Sequence, residues 1–385
     1  MKTLKEVELR DKRVLLRADL DVPLDERGGI KDDARLKIAI PTIKYVLEKG
    51  AKQIVIMGHI DRPRGQVVDM LRMDRVAVRL IKLLGRHVYK LDDCIGKGIP
   101  RGERIILLEN LRFHPEEEAN DEGFAKQLAA YGDIYVNNAF ATCHREQASL
   151  HAITKHLPGC IGLQVEEELK HLDIDKMKKP IVALIGGAKL KTKIPLIQAM
   201  LTKADKVLIG GAMIFTFYAA QNLEIGKSLC DMNYAMNAKM MLNNEKLVLP
   251  KDIVIADYEN QEAGIRTVAH NEIPKKSIGL DIGEQSLEEF KQELRKAETI
   301  IWNGPMGYYE KPPFDKATNE LAKIIAELDC GKIVGGGDTA DALHKLEIAH
   351  KFNFISTGGG AALELLAGKE LAALKALDEN EVNFS

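Results

Sequence analysis

The sequence is poor in cysteine and tryptophan: its 385 residues include one tryptophan and five cysteines, and no two cysteines form a C-x-x-C pair. An odd number of widely separated cysteines argues against a disulfide framework and against a structural zinc site. The chain also lacks a run of about 18 uncharged apolar residues, which a membrane span requires. Its charged N-terminal segment has no secretory signal pattern, so we expect a cytoplasmic protein with no membrane partner.

Arginine is scarce in the second half of the chain, because 15 of the 17 arginines precede residue 151. A guanidinium group binds carboxylates and phosphates through a planar fork of donors, so the first half is suited to an anionic ligand. Solvated helix faces are the commoner explanation for any single arginine, as for Arg72, Arg75, Arg79 and Arg86 at helical spacing, and both interpretations stay open. The net charge of −2 argues against a general polyanion binder, and we expect no nucleic-acid partner.

Short apolar runs alternate with amphipathic helical stretches along the whole chain. In the second half the runs lack polar alternation, which is typical of strands buried on both faces of a parallel sheet. Strand, glycine turn and helix in succession predict an α/β fold with two doubly wound, parallel-sheet (Rossmann-like) domains. The runs are RVLLRAD, AKQIVIMG, ERIILLEN and DIYVNNAF in the first half, and KPIVALIGG, ADKVLIGG, KDIVIAD, ETIIWNG, GKIVGGG and NFISTGGG in the second.

A charged helical pattern separates the two halves. It runs from Val165 to Pro180 and has Leu169 and Leu172 on one side. A chain of 385 residues is also long enough to form two hydrophobic cores. We therefore predict a first domain over 1–164, an interdomain helix and hinge over 165–180, and a second domain over 181–369.

Glycines follow four of the predicted strands in the second half. In doubly wound sheets such strand ends bind ligands, because glycine turns let backbone N–H groups approach an anion. One glycine pair indicates tight packing as often as phosphate binding, but four junctions together favour a phosphate site. None has the P-loop or the dinucleotide fingerprint, which argues against a Rossmann-type dehydrogenase. The junctions are Gly186–Lys189, Gly210–Ala212, Gly335–Thr339 and Thr357–Gly360.

Two lysines and an aspartate belong to these junctions. Lys189 and Lys193 are four residues apart at the start of a predicted helix, so we expect both ammonium groups on one face at the mouth of the sheet. Asp338 follows three glycines, where its carboxylate can hold Mg²⁺ while Thr339 and adjacent amides meet terminal phosphate oxygens. An ordinary helix N-cap is an equally good interpretation of Asp338.

Arginine and histidine side chains follow the predicted strands of the first half. The carboxyl ends of parallel strands share one edge of a sheet, so these side chains predict a site for a small polyanion with more than one acidic group. His59 alone is more typical of a structural residue, but Arg62 three residues later favours a functional interpretation. The set comprises Arg17, Arg35, His59, Arg62, Arg112, His144 and Arg145.

The ordered segments RADLDVP, HIDRP, ENLRFHPEEE, GGAKLKTKI, WNGPMG, GGGDT and STGGGAALELL make the chain similar to the phosphoglycerate kinase family. The similarity extends from Arg17 to Gly368. It implies a 3-phosphoglycerate site lined by Asp19, Asp21, Arg35, His59, Arg62, Arg112 and Arg145. It implies a nucleotide site lined by Lys189, Lys193, Gly210, Gly211, Asn303, Pro305, Glu310, Gly336, Gly337, Asp338 and Thr339.

The resemblance also implies an activity, which is reversible phosphoryl transfer between 1,3-bisphosphoglycerate and Mg·ADP to give 3-phosphoglycerate and ATP in glycolysis. In this scheme Glu310 takes the ribose hydroxyls, Asp338 holds magnesium, and Arg35, Lys193 and Gly337 are catalytic. The family is monomeric and closes by a hinge, and the tail 370–385 is expected to pack on the first domain. Closure would enclose the migrating phosphoryl group with cations from both domains.

Several positions depart from the residues usual in the family. The chain has Asp21 where Asn is usual, Asp61 for Gly, Asn138 for Asp, Ala141 for Gly, and Lys191-Thr192 for a common Ser-Asp pair. A carboxylate at position 21 should weaken binding of an anionic substrate, unless an arginine or a bound proton offsets it. These departures leave a catalytically degenerate, bilobal metabolite-binding protein as the alternative function.

Overall fold

The computed structural model describes residues 1–383, and the chain divides into two compact units. Unit 1 comprises Met1–Lys170 together with the residues from Glu370 onward, and unit 2 comprises His171–Lys369. The domain boundaries at 164 and 181 stay a prediction. Among the described residues, no helix is long and apolar enough to cross a membrane.

Unit 1 contains one sheet with helices between its strands. Its elements are β1 (Arg13–Ala18), α1 (Ala34–Glu48), β2 (Gln53–Met57), α2 (Asp74–Leu84), β3 (Tyr89–Lys90), β4 (Ile105–Leu107), α3 (Pro115–Glu118), α4 (Glu122–Ala129), β5 (Ile134–Asn138), β6 (Gly159–Ile161) and α5 (Leu163–Leu172). The six strands lie in the order β3-β4-β2-β1-β5-β6, and every neighbouring pair is parallel. The chain enters unit 2 near the end of α5.

Burial on both faces explains why the apolar runs of unit 1 form strands. All five residues of β2 are buried, as are five of the six residues of β1. β-branched and leucine side chains in such runs pack against helices on either side of the sheet. The helix α2 shows the complementary pattern: Val76, Leu80 and Leu84 lie on its buried face, and Gly85 ends it with a left-handed φ of 64°.

Unit 2 repeats this architecture. Its elements are β7 (Ile181–Ile185), α6 (Leu190–Lys203), β8 (Lys206–Ile209), α7 (Ile214–Ala220), α8 (Ala235–Met241), β9 (Leu247–Val248), β10 (Asp252–Asp257), β11 (Arg266–Ala269), β12 (Ser277–Ile282), α9 (Glu284–Leu294), β13 (Thr299–Asn303), α10 (Lys316–Glu327), β14 (Gly331–Gly335), α11 (Gly337–Lys345), β15 (Phe354–Ser356) and α12 (Gly360–Leu366). Six strands form a parallel sheet in the order β15-β14-β13-β7-β8-β9. Trp302 on β13 is fully buried in its core. Two parallel six-stranded sheets confirm the predicted α/β class.

The prediction for the run KDIVIAD is wrong. This run is β10, and it pairs antiparallel with β11 and β12 in a separate three-stranded sheet. Ile253 and Ile255 are nonetheless fully buried, and Phe215 of α7 packs so closely on β12 that a side chain at Gly279 would overlap its ring. An unbroken apolar run therefore indicates a buried strand, but it does not indicate which strands are its hydrogen-bonded neighbours.

The helix predicted over 165–180 is shorter than expected. α5 ends at Leu172, and a single 3-10 turn (Ile174–Lys176) follows it. Leu172 and Ile174 are both buried, although residues two positions apart lie on different sides of an α-helix. The chain can bury both side chains only by leaving the helix at Asp173, whose ψ is 91°.

Helix α13 (Ala372–Asn383) belongs to unit 1, where a buried amide side chain makes several of its contacts. The backbone N–H of Gly159 donates to Asn380 Oδ1 at 2.8 Å, and Asn380 Nδ2 donates to the carbonyl oxygens of Leu157, at 2.8 Å, and Thr154. Asn380 therefore satisfies three backbone groups around β6 at once. The last two residues of the predicted 370–385 tail lie outside the described residues.

We expect Asn380→Ala to lower the free energy of unfolding of unit 1 by about 3 kcal/mol, because three buried backbone groups lose their partner. Urea unfolding followed by circular dichroism measures the change, and hydrogen exchange at the Gly159 amide reports it locally. Lys375→Ala, on the exposed face of the same helix, is the control. Equal effects of the two substitutions would contradict the role given to Asn380.

Candidate active site

The predicted substrate residues of unit 1 lie at one edge of its sheet. β4, β2, β1 and β5 are neighbours, so parallel pairing places their carboxyl ends side by side. Following these strand ends are Asp19 and Asp21 (β1), His59 and Arg62 (β2), Arg112 (β4) and Arg145 (β5), with Arg35 in the first turn of α1. Arg62 is exposed and makes no hydrogen bond or ion pair within residues 1–383.

Asn110 joins the loops that follow β2 and β4. It is fully buried, and its Nδ2 donates to the carbonyl oxygens of Ile60 at 2.9 Å and Leu71 at 3.1 Å. Its Oδ1 accepts the backbone N–H of Arg112 at 3.2 Å, which caps the short 3-10 turn Leu111–Phe113. A short polar side chain that satisfies local backbone groups stabilises such a bend. Asn110 thus positions Arg112, a role that the sequence analysis missed.

Arg112 has two buried donor atoms that no described residue hydrogen-bonds. Its side chain is buried, and Nη1 donates to the carbonyl oxygen of Asp61 at 2.6 Å. Nε and Nη2 are also buried, and neither has a hydrogen-bond partner among the described residues, although Glu118 Oε1 is 3.7 Å from Nε. Burial, together with the charges of Arg145 and Arg17, lowers the pKa of Arg112. Buried donors without partners are costly, so this cluster of cations is suited to an anion.

Arg17 determines the tautomer of His59. Its guanidinium is fully buried, and Nη2 donates to His59 Nδ1 at 2.8 Å. Arginine has no acceptor, so Nδ1 must be the unprotonated nitrogen and Nε2 carries the hydrogen. Burial and the charges of Arg17 and Arg112 lower the pKa of His59 to about 3. His59 therefore offers a neutral N–H donor to the site, where the sequence analysis grouped it with the arginines.

A buried carboxylate balances the charge of Arg17. Arg17 Nε donates to Ser149 Oγ at 2.9 Å, and that hydroxyl donates to Glu117 Oε1 at 2.6 Å. The backbone N–H of Ser149 donates to the other Glu117 oxygen at 2.9 Å. Burying a cation requires such paired hydrogen bonds. The sequence signal for Arg17 was an arginine inside the apolar run RVLLRAD, but Ser149 and Glu117 lie 132 and 100 residues further along the chain.

Arg35 and its neighbours neutralise the unusual Asp21. Arg35 Nη1 lies 3.0 Å from Asp19 Oδ1 and 3.8 Å from Asp21 Oδ2, while His59 Nε2 is 3.7 Å from Asp21 Oδ2. Burial opposes ionisation of Asp21, but His59, the Asp61 N–H at 2.8 Å and Arg35 lower its pKa well below the usual range. Positive charge and hydrogen bonds, rather than a bound proton, therefore offset the extra carboxylate.

The other departures from the family pattern fit the local backbone. Asp61 has a φ of 54°, the left-handed region where glycine is usual and where aspartate is tolerated. Asn138 Oδ1 accepts from Thr42 Oγ1 at 2.9 Å and from the Gln164 N–H at 3.0 Å. Ala141 lies in a 3-10 turn (Phe140–Thr142), which alanine adopts readily. None of these three changes removes a donor from the arginine cluster.

Unit 2 contains a cavity of about 440 Å³ beyond the ends of its parallel strands. Four of the predicted nucleotide residues line it: Gly211, Pro305, Glu310 and Asp338. Most of the remaining wall is apolar and includes Phe215, Leu229, Ile278 and Met306. A concave, mainly apolar wall with a few polar groups is typical of a site for a planar base and its sugar.

Glycines let three strand-end loops of unit 2 touch backbone to backbone. A Cβ atom at Gly211 would lie 2.3 Å from the nitrogen of Gly187, and one at Gly186 would lie 2.0 Å from the Pro305 carbonyl oxygen. Gly211 and Gly187 also have positive φ angles of 68° and 107°. Met306 occupies the space beside Gly210, so a side chain at this position would overlap it. At these junctions the glycines are required for close packing, the simpler of the two interpretations of a glycine pair.

Hydrogen bonds tie the ends of α6, β13 and β14 together. Lys193 Nζ donates to Asn303 Oδ1, and Asn303 Nδ2 donates to the Gly335 carbonyl oxygen at 2.8 Å. Burial lowers the pKa of Lys193 to about 8, although nearby Asp338 favours the charged form. Thr339 is fully buried, and its hydroxyl accepts the Gly304 N–H at 2.7 Å. Thr339 thus supports the β13 loop, whereas the sequence analysis expected its hydroxyl to meet a phosphate.

Two further expectations for unit 2 need correction. Lys189 precedes α6 with an extended backbone, so the predicted four-residue spacing within a helix does not hold, and its side chain is exposed while that of Lys193 is half-buried. Asp338 is not an N-cap, because Gly336 has that position and α11 begins at Gly337. A Cβ atom at Gly337 would meet no other atom within 4 Å. The surface at the start of α11 is therefore open on the Cβ side of Gly337, next to the exposed carboxylate of Asp338.

Asp281 is a cavity residue that the sequence analysis missed. It lies in β12, is buried, and accepts the backbone N–H groups of Ile282 at 2.9 Å and Ala317 at 3.0 Å. Burial raises its pKa to about 7 against the effect of these hydrogen bonds. The carboxylate oxygens also border Gly307, which has no room for a side chain. An acidic residue inside the apolar run SIGLDI was the available signal.

The residues around Asp338 suit Mg²⁺ in the presence of a nucleotide. Mg²⁺ prefers oxygen ligands and usually takes one or two carboxylates, with phosphates and water completing its shell. Asp338 supplies one exposed carboxylate at the cavity wall, next to the open N-terminus of α11. Within the described residues no cluster of three potential ligands surrounds it. The donor set therefore fits an ion held largely by substrate phosphates.

An arginine cluster with buried, unsatisfied donors on one doubly wound unit, and a mainly apolar cavity beside glycine-rich strand ends on another, fit the class of α/β phosphotransferases. A profile of the family "Phosphoglycerate kinase" matches residues 4–369. The phosphoglycerate kinase of Picosynechococcus sp. is 46% identical over 390 residues, covering 98% of both chains, and that of Acaryochloris marina is 46% identical over 393 residues with the same coverage. The chain belongs to the phosphoglycerate kinase family.

Solved structures give the same result. Phosphoglycerate kinase from Coxiella burnetii matches with a TM-score of 0.89 and 34% identity, covering 98% of this chain and 99% of the other. Phosphoglycerate kinase from Pyrococcus horikoshii matches with a TM-score of 0.84 and 32% identity, covering 99% of this chain and all of the other. The resemblance inferred from the sequence is therefore confirmed over nearly the whole chain.

We predict that Asp281 makes the stability of unit 2 depend on pH. A carboxyl group with a raised pKa in the folded state stabilises that state most below its unfolded pKa, and the contribution is lost as the pH rises through about 7. Asp281→Asn, which cannot ionise, should therefore cost more at pH 5 than at pH 8, by at most about 3 kcal/mol, because about two pH units of titration lie between pH 5 and the folded pKa.

Fluorescence of Trp302 during urea unfolding measures this difference, because the single tryptophan lies in the core of unit 2. Asp257→Asn, at the exposed end of β10, is the control and should show no such pH dependence. The same cost for Asp281→Asn at both pH values would show that its carboxyl group does not titrate in this range.

Proposed function

We propose that this chain catalyses the reversible transfer of a phosphoryl group between 1,3-bisphosphoglycerate and Mg·ADP, giving 3-phosphoglycerate and ATP. Membership of the phosphoglycerate kinase family over residues 4–369 is the observation that carries the proposal. The family's cationic positions Arg35 and Lys193 and the carboxylate Asp338 are all retained. Nothing favours the degenerate, non-catalytic alternative.

In the proposed reaction the arginine cluster binds the three-carbon acid. Arg112 has two buried donors with no hydrogen-bond partner in the described part of the chain, and Arg145 lies close enough to lower its pKa. His59 contributes a neutral Nε2–H, because Arg17 occupies its other nitrogen. Planar guanidinium forks and a neutral donor suit a ligand that has both a carboxyl and a phosphate group. We assign Asp19, Asp21, Arg35 and Arg62 to the rim of this site.

The proposed nucleotide site combines the cavity of unit 2 with the start of α11. Its apolar wall holds the base, and Glu310 accepts from the ribose hydroxyls. The phosphates meet Lys193, Lys189 and the amides at Gly337, at the N-terminus of α11. When bound through Asp338 and the phosphates, Mg²⁺ neutralises part of the charge on the nucleotide. Gly210, Asn303, Pro305, Gly336 and Thr339 support these loops.

The chemistry itself requires positioning and positive charge. The attacking group is either a carboxylate or a terminal phosphate oxygen of ADP, so no general base is needed. Arg35, Lys193 and the Gly337 amide stabilise the charge that spreads over the three equatorial phosphoryl oxygens in the transition state. We include hinge closure, a monomeric state and a cytoplasmic location in the proposal because the family resemblance implies them.

A coupled assay for ATP-dependent consumption of 3-phosphoglycerate tests the function directly. Mg²⁺-dependent turnover at a kcat of about 1 s⁻¹ or more would support the proposal, since kinases typically work in this range. Binding of both ligands without turnover would instead identify the degenerate alternative. Absence of binding of either ligand would contradict both functions.

Arg35→Ala should lower kcat by at least about 10³, because an arginine that stabilises transferring phosphoryl charge has an effect of this size. The affinity for ADP, measured by calorimetry, should barely change, since Arg35 belongs to unit 1. Arg101→Ala, at an exposed arginine of the same unit, is the control. A near-normal kcat for Arg35→Ala would remove Arg35 from the catalytic set.

Asp21→Asn should tighten binding of 3-phosphoglycerate by about fivefold, because removal of one like charge near an anion changes the binding energy by about 1 kcal/mol in water-exposed surroundings. The asparagine oxygen can still accept the Asp61 N–H. Calorimetry measures the change, and Asp32→Asn at an exposed carboxylate is the control. Weaker binding would identify Asp21 as a direct ligand of the substrate.

A further inference from the structure

Three potential metal ligands meet in unit 1 at residues that the proposed reaction does not use. Asp93 and Cys94 lie in the loop after β3, and His114 is the residue that precedes α3. A carboxylate oxygen, the thiol sulfur and an imidazole nitrogen all lie within 4.8 Å of one another. Within residues 1–383 no other group of three such side chains is as close. We name this group the Asp93 cluster.

Backbone and side-chain hydrogen bonds hold the Asp93 cluster in place. His114 Nε2 is 2.7 Å from Asp93 Oδ1, and the same oxygen accepts the Cys94 N–H at 2.7 Å. Further along the loop, the Tyr131 hydroxyl accepts the Lys97 N–H and donates to the Lys97 carbonyl oxygen, both at 3.0 Å. The loop is therefore fixed before any ligand binds, which lowers the entropy cost of binding.

The three residues of the Asp93 cluster differ in their exposure to solvent. Cys94 is fully buried, whereas the side chains of His114 and Asp93 are 25% and 38% exposed. An ion can thus approach from the side of the histidine and the carboxylate and reach the sulfur last. A thiol at the inner end and exposed ligands at the outer end leave one coordination position open to water.

The chemical types of the three donor atoms determine which metal ion the Asp93 cluster favours. Sulfur, imidazole nitrogen and one carboxylate oxygen are ligands of Zn²⁺, and three protein ligands with a water molecule are typical of its open tetrahedral sites. A thiolate ligand disfavours Mg²⁺ and Ca²⁺, which prefer oxygen. The Mg²⁺ that accompanies a nucleotide would therefore not compete for this position.

We propose that Asp93, Cys94 and His114 bind one Zn²⁺ ion per chain. On binding, the Cys94 S–H bond breaks, its proton passes to solvent, and a sulfur–zinc bond forms. The bound ion joins the loop after β3 to the segment that carries Arg112, two residues before His114. Occupancy should consequently stabilise unit 1 against unfolding, because a ligand that binds only the folded state shifts the folding equilibrium.

The test uses the full-length protein after removal of metals with a chelator. Zn²⁺ titration by calorimetry should give one site with a dissociation constant of about 1 µM or tighter and a raised melting temperature. Co²⁺ in place of Zn²⁺ should produce a near-ultraviolet thiolate-to-metal charge-transfer band. Millimolar Mg²⁺ should leave both signals unchanged.

Cys94→Ala should abolish the cobalt band and weaken Zn²⁺ binding at least about 100-fold, since loss of a direct ligand exceeds the 10- to 100-fold loss seen for supporting residues. His114→Gln should weaken binding similarly, and it serves as the second variant if Cys94→Ala does not fold. Cys160→Ala is the matched control, because Cys160 is equally buried in unit 1 and lies in the hydrophobic core.

Three results would overturn the proposal: no saturable Zn²⁺ binding, binding without the cobalt–thiolate band, or binding that survives both Cys94→Ala and His114→Gln. In the first case the Asp93–His114 contact is only a structural hydrogen bond, and in the others the ion lies elsewhere. The measurements report metal binding rather than turnover, so their outcome does not depend on whether the chain has kinase activity.

Discussion

Parallel hydrogen bonding in the two six-stranded sheets is the constraint on which the sites of this chain depend. It brings the carboxyl end of each strand to the same edge, so residues from β1, β2, β4 and β5 meet although they are far apart in the chain. In unit 2 the same rule brings the loops after β7, β8 and β13 into backbone contact, which glycine alone permits. Rigid strand ends then present side chains to a ligand without reorganisation.

The buried guanidinium of Arg17 shows how the fold orients side chains beneath the proposed substrate site of unit 1. Arg17 is held by Ser149 and Glu117, and it holds His59 in turn. A guanidinium that is deprived of water must be fully hydrogen-bonded, and this requirement fixes the orientation of the histidine. Arg112, in contrast, retains two buried donors that none of residues 1–383 hydrogen-bonds. One arginine therefore organises the site and the other is left available to an anion.

Asp21 and Asp61 illustrate how two unusual residues fit together. The Asp61 N–H donates to Asp21, and the left-handed backbone at Asp61 directs that N–H toward the carboxylate. Arg35 and His59 add further stabilisation of the charge. Asp21, whose charge looked unfavourable from the sequence alone, is thus stabilised by Asp61, Arg35 and His59 together. The cost of its charge to an anionic substrate depends on how far Arg35 neutralises it.

The sequence by itself determined the α/β class, the parallel sheets, the strand ends that carry arginine and glycine, and the family. Apolar periodicity and ordered motifs are local signals, and burial on both faces of a strand leaves a clear pattern in one segment of chain. Most side chains that we propose for the two ligand sites directly follow those strands, so local patterns were enough to select them as candidates.

Only the tertiary structure decided which segments are neighbours. It placed β10 in an antiparallel sheet, ended α5 at Leu172, and turned Thr339 inward to the β13 loop. It likewise brought Cys94 to His114, although cysteine spacing alone argued against a zinc site. The physical reason is the same in each case. Hydrogen-bond partners, burial and ligand geometry depend on contacts between residues that are distant in sequence, and a local sequence pattern does not contain information about those contacts.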